Sequence, residues 1–486
     1  MDDRVRSVSE KSVQWDEAAD VVIIGSGFAG LSAAIEAREA GASVVVIEKM
    51  NAVGGNSVIS DGGIAAPGTD LQISRGITDT ADRMAADMLA AGCGLNDPAL
   101  VRVVADQAKE IFDWSREALG VEYLDRVDQF GGHSVARCYT AKHVTGATII
   151  NKQMERVNAL GVDIRLHTLF TGFVRQTDGR VAGIATCDAA AGRPVDTGQQ
   201  RHLKAERGII LAAGGFSSDI AFRAAQHPRL NEMIDSTNKP FATAEVMKAA
   251  IRIGAAPVQL SHIQLGPWAS PDEKGYGVGP AFAEYILFQY GVLIDPATGS
   301  RFVNEMADRK TLSDAMLTMG HPCVGIADAA AVEGSGWSID SCLKRGIVRA
   351  FDGLKELVAC YQIPQAPLEK TIEHFNEGFT AGRDLEFGKP LLSQALPISH
   401  PPFYGMRLWP KVHYTMGGLR INSRAEVIDL DGRMIPGLYA AGEITGGIHG
   451  ASRLGSCAIT DCLVFGRIAG KNAVEVREHK RIGKVE

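Results

Sequence analysis

Apolar positions along this chain come in short unbroken runs more often than singly. Asp20-Val21-Val22-Ile23-Ile24 has strand length and predicts a buried strand. Gly25-Ser26-Gly27-Phe28-Ala29-Gly30 follows as a glycine turn and opens Leu31 to Ala37, which reads as a helix. Ser43-Val44-Val45-Val46-Ile47-Glu48 is a second strand, β-branched and ending in an acid. Strand, turn, helix, strand and acid together predict a βαβ unit. The run-into-glycine pattern returns at Gly208 to Phe216 and at Ile435 to Glu443. Between about Ser217 and Pro410 the pattern changes, and helical stretches such as Ala244 to Ile253 alternate with Gly- and Pro-rich loops. A last helix is expected over Cys457 to Val474. The organisation expected is α/β. A flexible lead covers residues 1–17. One nucleotide-binding domain is split between 18–224 and 413–480, and an α+β domain is inserted at 225–412.

Composition narrows the field. The 486 residues suffice for two or three domains, and 54 glycines suit a backbone that approaches a large ligand closely. The net charge of −7 gives no support to nucleic-acid binding. No apolar run reaches 18 residues, so no membrane span is expected. The polar, mixed-charge stretch Met1 to Glu17 lacks the apolar core of a secretory signal, which predicts a cytoplasmic protein. The eight cysteines form no Cys-x-x-Cys, against a zinc site, a thioredoxin-like pair or an attached c-type haem. No metal is expected, and the thiols read as buried ones.

The first glycine turn has the context a dinucleotide site requires. Gly25 permits the tight turn, Gly27 admits the pyrophosphate, and Gly30 lets helix and sheet pack; Phe28 and Ala29 begin the helix whose N-terminus favours the anion. Glu48 would accept hydrogen bonds from the ribose hydroxyls, with Lys49 beside it. Two further glycine-rich segments favour FAD over a nicotinamide. Gly54-Gly55-Asn56-Ser57 and Asp61-Gly62-Gly63-Ile64 follow Glu48 closely, and Gly442 and Glu443 form a late turn. Ala213, Gly214, Ser456, Ala458 and Ile459 complete the expected cofactor contacts. Gly54 to Ala66 holds no His, Cys or Tyr, so the FAD is expected to be noncovalent.

Three segments carry a resemblance: the N-terminal βαβ with Gly54-Gly55-Asn56-Ser57, then His413-Tyr414-Thr415-Met416-Gly417-Gly418, then Gly446-Gly447-Ile448-His449-Gly450-Ala451-Ser452-Arg453-Leu454-Gly455. The chain resembles the soluble fumarate reductase and succinate dehydrogenase flavoproteins, with their urocanate and 3-ketosteroid relatives. The resemblance implies a Rossmann-like FAD-binding domain with an inserted capping domain. It implies that His413 and Arg453 hold a substrate carboxylate, a task suited to a planar guanidinium and an imidazole donor. His262 resembles the histidine that binds the far end of a dicarboxylate. Arg301-Phe302-Val303-Asn304-Glu305 with Arg309 resembles the cap segment before the proton donor, whose relay uses a glutamate and an arginine. The donor arginine itself is expected within Ile326 to Val332, yet no Arg or Lys lies between Lys310 and Lys344.

The expected reaction moves a hydride between flavin N5 and a C–C or C=C bond beside a carboxylate or carbonyl, with a proton exchanged at the neighbouring carbon. Plain fumarate or succinate is disfavoured by the missing arginine. Candidate proton groups are Tyr285, Tyr290, His321 and a displaced Arg309. A 3-ketosteroid or cyclic-ketone dehydrogenase is one alternative, and a flavoprotein electron-transfer subunit of a larger complex is another. The expected partners are a small molecule bearing a carboxylate or ketone and a separate electron donor or acceptor, since the chain has no haem or iron–sulfur motif.

Overall fold

Strands Glu17–Ile24 and Val44–Ile47 pair in parallel, Val21 opposite Val44. Asp163–Arg165 adds on one side and Gln200–Leu211 on the other, followed by Met434–Ala440, all parallel. Val21, Val22 and Ile23 are fully enclosed. A parallel strand covered on both faces has no polar side to alternate with, which explains the unbroken apolar runs. The structure is a computed structural model and describes residues 8–188 and 200–475. Among the described residues no helix is long and apolar enough to cross a membrane, and no cluster of three or more His, Cys, Asp or Glu could hold a metal.

Helix Phe28–Glu39, longer at both ends than the Leu31 to Ala37 expected, packs against the closing helix Cys457–Val474, which keeps its expected bounds. Glycines set their approach. A Cβ on Gly466 would stand 2.6 Å from the Ala29 carbonyl oxygen, and one on Gly470 would stand 2.4 Å from that of Ala33. The sheet continues antiparallel through Val181–Asp188 and Thr168–Arg175. Part of the expected flexible lead is instead built in. Val8–Ser9 pairs in parallel with Val174–Arg175, and the Trp15 ring lies over Gly183, where a Cβ would meet it at 2.5 Å. An indole covering a glycine on a strand gains burial that a free lead would lose. Residues 1–7 of that lead lie outside the described residues.

A second sheet, five-stranded and antiparallel, is drawn entirely from residues 292–408. Its order is Ser300–Arg301, Val292–Asp295, Cys323–Asp328, Phe403–Leu408, Arg349–Phe351. Arg301, on its edge strand, is buried and paired with Glu305 at 2.7 Å and Asp384 at 2.8 Å. A two-stranded ribbon, Ile263–Gly266 with Lys411–Thr415, lies where the chain returns towards the first sheet. It places Gln264 and His413 near the glycine turns. Cys138, Cys187, Cys323, Cys342 and Cys457 are buried thiols, as the sequence suggests, but Cys93 is exposed.

Candidate active site

One long cleft runs from the first βαβ unit to the ribbon. Gly25, Gly27, Phe28, Ala29, Glu48, Lys49, Gly54, Gly55, Asn56, Ser57, Gly63, Ala213, Gly214, Gly442, Glu443, Ser456, Ala458 and Ile459 line it. Gly30 and Gly62 do not. Gly30 faces the turn, where a Cβ would lie 2.0 Å from the Gly25 carbonyl oxygen, and Gly62 faces Ala141 and Thr145. Both serve packing, since each Cβ position is filled by protein.

The nucleotide end is ordered by short hydrogen bonds. One Glu48 oxygen accepts from the Ser26 amide at 3.2 Å and hydroxyl at 2.6 Å, and the other from the Met50 amide at 3.0 Å. Glu48 itself lines the cleft. Lys49 reaches Thr243 at 2.9 Å and Glu245 at 3.3 Å. Gly55 and Gly214 line the cleft with positive φ, and a Cβ on either would meet no protein atom within 4 Å. A wall stripped of side chains, beside a helix N-terminus and a ribose-competent acid, fits an extended dinucleotide such as FAD.

The other end is built from long side chains. Trp268, Tyr276, Glu284, Arg309, His413, Tyr414 and Arg453 meet there, with Asp61 on the same wall. Arg453 is 5% exposed, yet no carboxylate pairs with it among the described residues. One Nη donates to the Leu454 carbonyl at 2.7 Å, the guanidinium lies over the Tyr414 ring at 4.8 Å, and its Nε has no partner. Burial and the nearby Arg309 push its pKa down. A buried, unpaired cation is costly and calls for an anion. His413 Nδ1 meets Thr237 Oγ1 at 2.9 Å, and its ring stands edge-on to Trp268 at 4.7 Å. Burial first, then Arg309 and Arg453, hold its pKa well below 6.5, so the imidazole is neutral.

Arg309 begins the helix Arg309–Met319, capped by Asp308. Its Nη2 donates to Glu284 at 2.5 Å, while Nη1 is buried without a partner. Burial opposes its charge, but the Glu284 carboxylate outweighs that and raises its pKa. Burial likewise raises the pKa of Glu284. Glu284 sits in a π-helical turn, Ala283–Leu287, of the kind that often marks a functional site.

As the sequence indicates, Ile326 to Val332 holds no guanidinium, its first residues being part of the buried strand Cys323–Asp328, and Arg309, the displaced candidate, lines the cleft. Three expectations are corrected. Glu305 does not line the cleft: Arg301 and the Leu293 amide hold its carboxylate in the second sheet's ion network, although it shares a smaller cavity with Glu284 and Arg309. Tyr290 turns away and its hydroxyl accepts from Gln394 at 2.8 Å. His262 does not line the cleft, although its carbonyl accepts from the Met416 amide at 3.1 Å. Of the other proton candidates, Tyr285 donates to Asp61 at 2.8 Å and His321 lies 3.5 Å from Asp295, 40% exposed. Trp268, Tyr276, Glu284 and the side chain of Asp61 escaped the sequence reading. A lone acid within Phe282-Ala283-Glu284-Tyr285-Ile286-Leu287 was the one available signal.

A layer behind the cleft sets the loop that carries Arg453. Arg137, fully buried against Asp79 at 2.8 Å, donates to His133 Nδ1 at 3.1 Å. That leaves Nε2–H to donate to the Gly455 carbonyl at 2.9 Å. Burial lowers the His133 pKa to about 4, so the tautomer stays fixed.

The model of the FAD binding domain family matches residues 20–459. The chain is 43% identical over 474 residues to the acrylate reductase flavoprotein subunit of Shewanella woodyi, covering 96% of this chain and 93% of that one. It is 35% identical over 461 residues to a fumarate reductase (cytochrome) of Shewanella frigidimarina, covering 94% and 77%. Among solved structures, the open conformation of a flavocytochrome c3 fumarate reductase superposes with a TM-score of 0.75 at 30% identity, over 95% of this chain and 78% of that one. With the cleft, the unpaired guanidinium and these likenesses in agreement, the chain belongs to the FAD-binding family of flavoprotein reductases and is an FAD-dependent oxidoreductase of CH–CH groups.

Proposed function

We propose that the chain reduces a C=C bond conjugated to a single carboxylate, a 2-enoic acid, using noncovalent FAD and electrons from a separate donor. The observation that carries this is Arg453, buried with no carboxylate of its own beside a neutral His413. In this reading 18–224 and 413–480 form a Rossmann-like half, and 225–412 is the cap that brings Trp268, Tyr276, Glu284 and Arg309 over the cleft. The likeness to an acrylate reductase flavoprotein subunit supports both the substrate class and the separate donor.

Bound FAD supplies the hydride, at its N5 atom. The side chains do the rest. Arg453 grips the carboxylate with planar N–H donors, and His413, fixed by Thr237, adds one more or packs against it. Trp268 and Tyr414 wall the site and keep water out. As negative charge builds on the carbon next to the carboxylate, Arg309 holds a proton ready for it. An arginine is a feeble acid towards water, but a carbanion is far more basic than guanidine, so the transfer runs downhill. Glu284, at 2.5 Å, stabilises the charged guanidinium beforehand and is placed to relay a proton taken up from solvent back to it afterwards.

Anaerobic stopped-flow reoxidation of the dithionite-reduced holoenzyme tests this, with acrylate, crotonate and cinnamate set against a 4-ene-3-ketosteroid. Enoates should reoxidise the flavin fastest. Reoxidation by the steroid alone would overturn the reading. Acid precipitation of the same sample should leave all FAD in the supernatant, and flavin in the pellet would overturn the noncovalent part.

A further inference from the structure

We propose that Asp61 restricts this site to substrates with one carboxylate, rejecting dicarboxylates by charge repulsion. The inference rests on the 2-enoic acid reading and names the residue that sets its substrate class.

The charges of the cleft's reacting end give the reason. Two guanidiniums, Arg453 and Arg309, meet two carboxylates, Glu284 and Asp61, and His413 adds none because burial keeps it neutral. Arg309 is already paired with Glu284. Its charge is thereby matched, although one Nη stays free, and only Arg453 carries a charge that no carboxylate matches. The nearest other cation on the cleft wall, Lys49, belongs to the nucleotide end and is paired with Glu245. A first carboxylate therefore has a partner, and a second one does not. It would share the space with Asp61, which acts on Arg309 and Glu284 and so lies within electrostatic reach of the reacting end. In a partly desolvated cleft, two like charges repel strongly.

Asp61 cannot swing aside. Its Oδ1 accepts from the Gly63 amide at 3.0 Å and its Oδ2 from the Tyr285 hydroxyl at 2.8 Å. Tyr285 is itself clamped, stacked on Trp337 at 4.2 Å and 13°. The next residue, Gly62, turns with φ +75, and its Cβ position is blocked by Ala141 and Thr145.

Asp61→Asn in the FAD-loaded enzyme removes the charge and keeps the shape, since an amide can accept from Gly63 and donate to the Tyr285 oxygen. The quantity to measure is the ratio of kcat/KM for fumarate to that for acrylate. It should rise roughly 10- to 100-fold, through fumarate, with acrylate changing only a few-fold. Tyr285→Phe, which drops the hydrogen bond but leaves the charge, should keep the ratio low. Titrating the oxidised holoenzyme with propionate and with succinate, read by the flavin difference spectrum, repeats the comparison without turnover. An unchanged ratio, or an equal change for both acids, overturns the proposal; the second result would place Asp61's effect on the flavin. If no enoate turns over while Asp61→Asn still gains succinate binding, the reaction assigned above fails and the role of Asp61 stands.

Discussion

The two ends of the cleft are built on opposite plans. The nucleotide end uses the backbone: glycines, one helix N-terminus and a carboxylate, most of them within residues 24–63. The reacting end uses long, charged or aromatic side chains from residues 61, 268, 276, 284, 309, 413 and 453. A cofactor shared by many enzymes needs shape, which short local turns supply. A substrate needs charge at particular points, which only side chains gathered from afar supply. The difference predicts that each end can be broken without the other.

The largest effect should come from Arg309→Gln. Losing the proton source typically slows a reaction about 10²- to 10⁴-fold, here read as enoate-driven flavin reoxidation, while the FAD content stays at one per chain. A rate within a few-fold of wild type would move the proton source elsewhere. Next comes Arg453→Lys, which trades a planar fork for a point charge. Removing one partner of a buried charged hydrogen bond costs on the order of 2–5 kcal/mol, about 30-fold or more in enoate affinity. Because His413 is held neutral, that loss should be the same at pH 6 and pH 8. Changes at the nucleotide end act on cofactor retention and stability instead, and the smallest effect of all is expected at Gly55. Gly25→Ala forces a Cβ to 2.4 Å from the Ala212 carbonyl oxygen at φ +105, so FAD should be lost along with about 1–3 kcal/mol of stability. Gly55→Ala meets no protein atom and carries only the strain of φ +51, so it should weaken FAD with a smaller fall in melting temperature than Gly25→Ala. Equal melting temperatures for the two variants would erase the distinction between a turn and a ligand wall.

The same contrast explains what the sequence disclosed. Gly25, Gly27 and Glu48 could be read because a βαβ turn is written in consecutive residues. His413 and Arg453 could be read because each sits in a specific local segment. Glu284 could not, since its meaning comes from Arg309, 25 residues away and on another helix. Glu305 misled for the same reason: it lies four residues before Arg309, but the fold commits its carboxylate to Arg301, which Asp384 also binds, and leaves it off the cleft wall. Trp15 and Val8–Ser9 show the reverse. Their run is too short and polar to predict a strand, and they are ordered only because Gly183 and Val174–Arg175 offer a surface. Tertiary partners settle such segments, and tertiary partners are what a single sequence hides.

The discontinuous first sheet has a consequence for how the chain is made. Every strand of the second sheet has been synthesised by Leu408, so that layer can assemble from neighbours as it emerges. The first sheet must wait. Gln200–Leu211 receives Met434–Ala440 only near the end, and helix Phe28–Glu39 stays uncovered on one side until Cys457–Val474 arrives. On the ribosome, therefore, the oldest part of the polypeptide is the last to be completed. A premature stop between residues 408 and 457 would release a molecule with a finished second sheet and an open hydrophobic groove where its closing helix belongs, a natural substrate for chaperones and proteases.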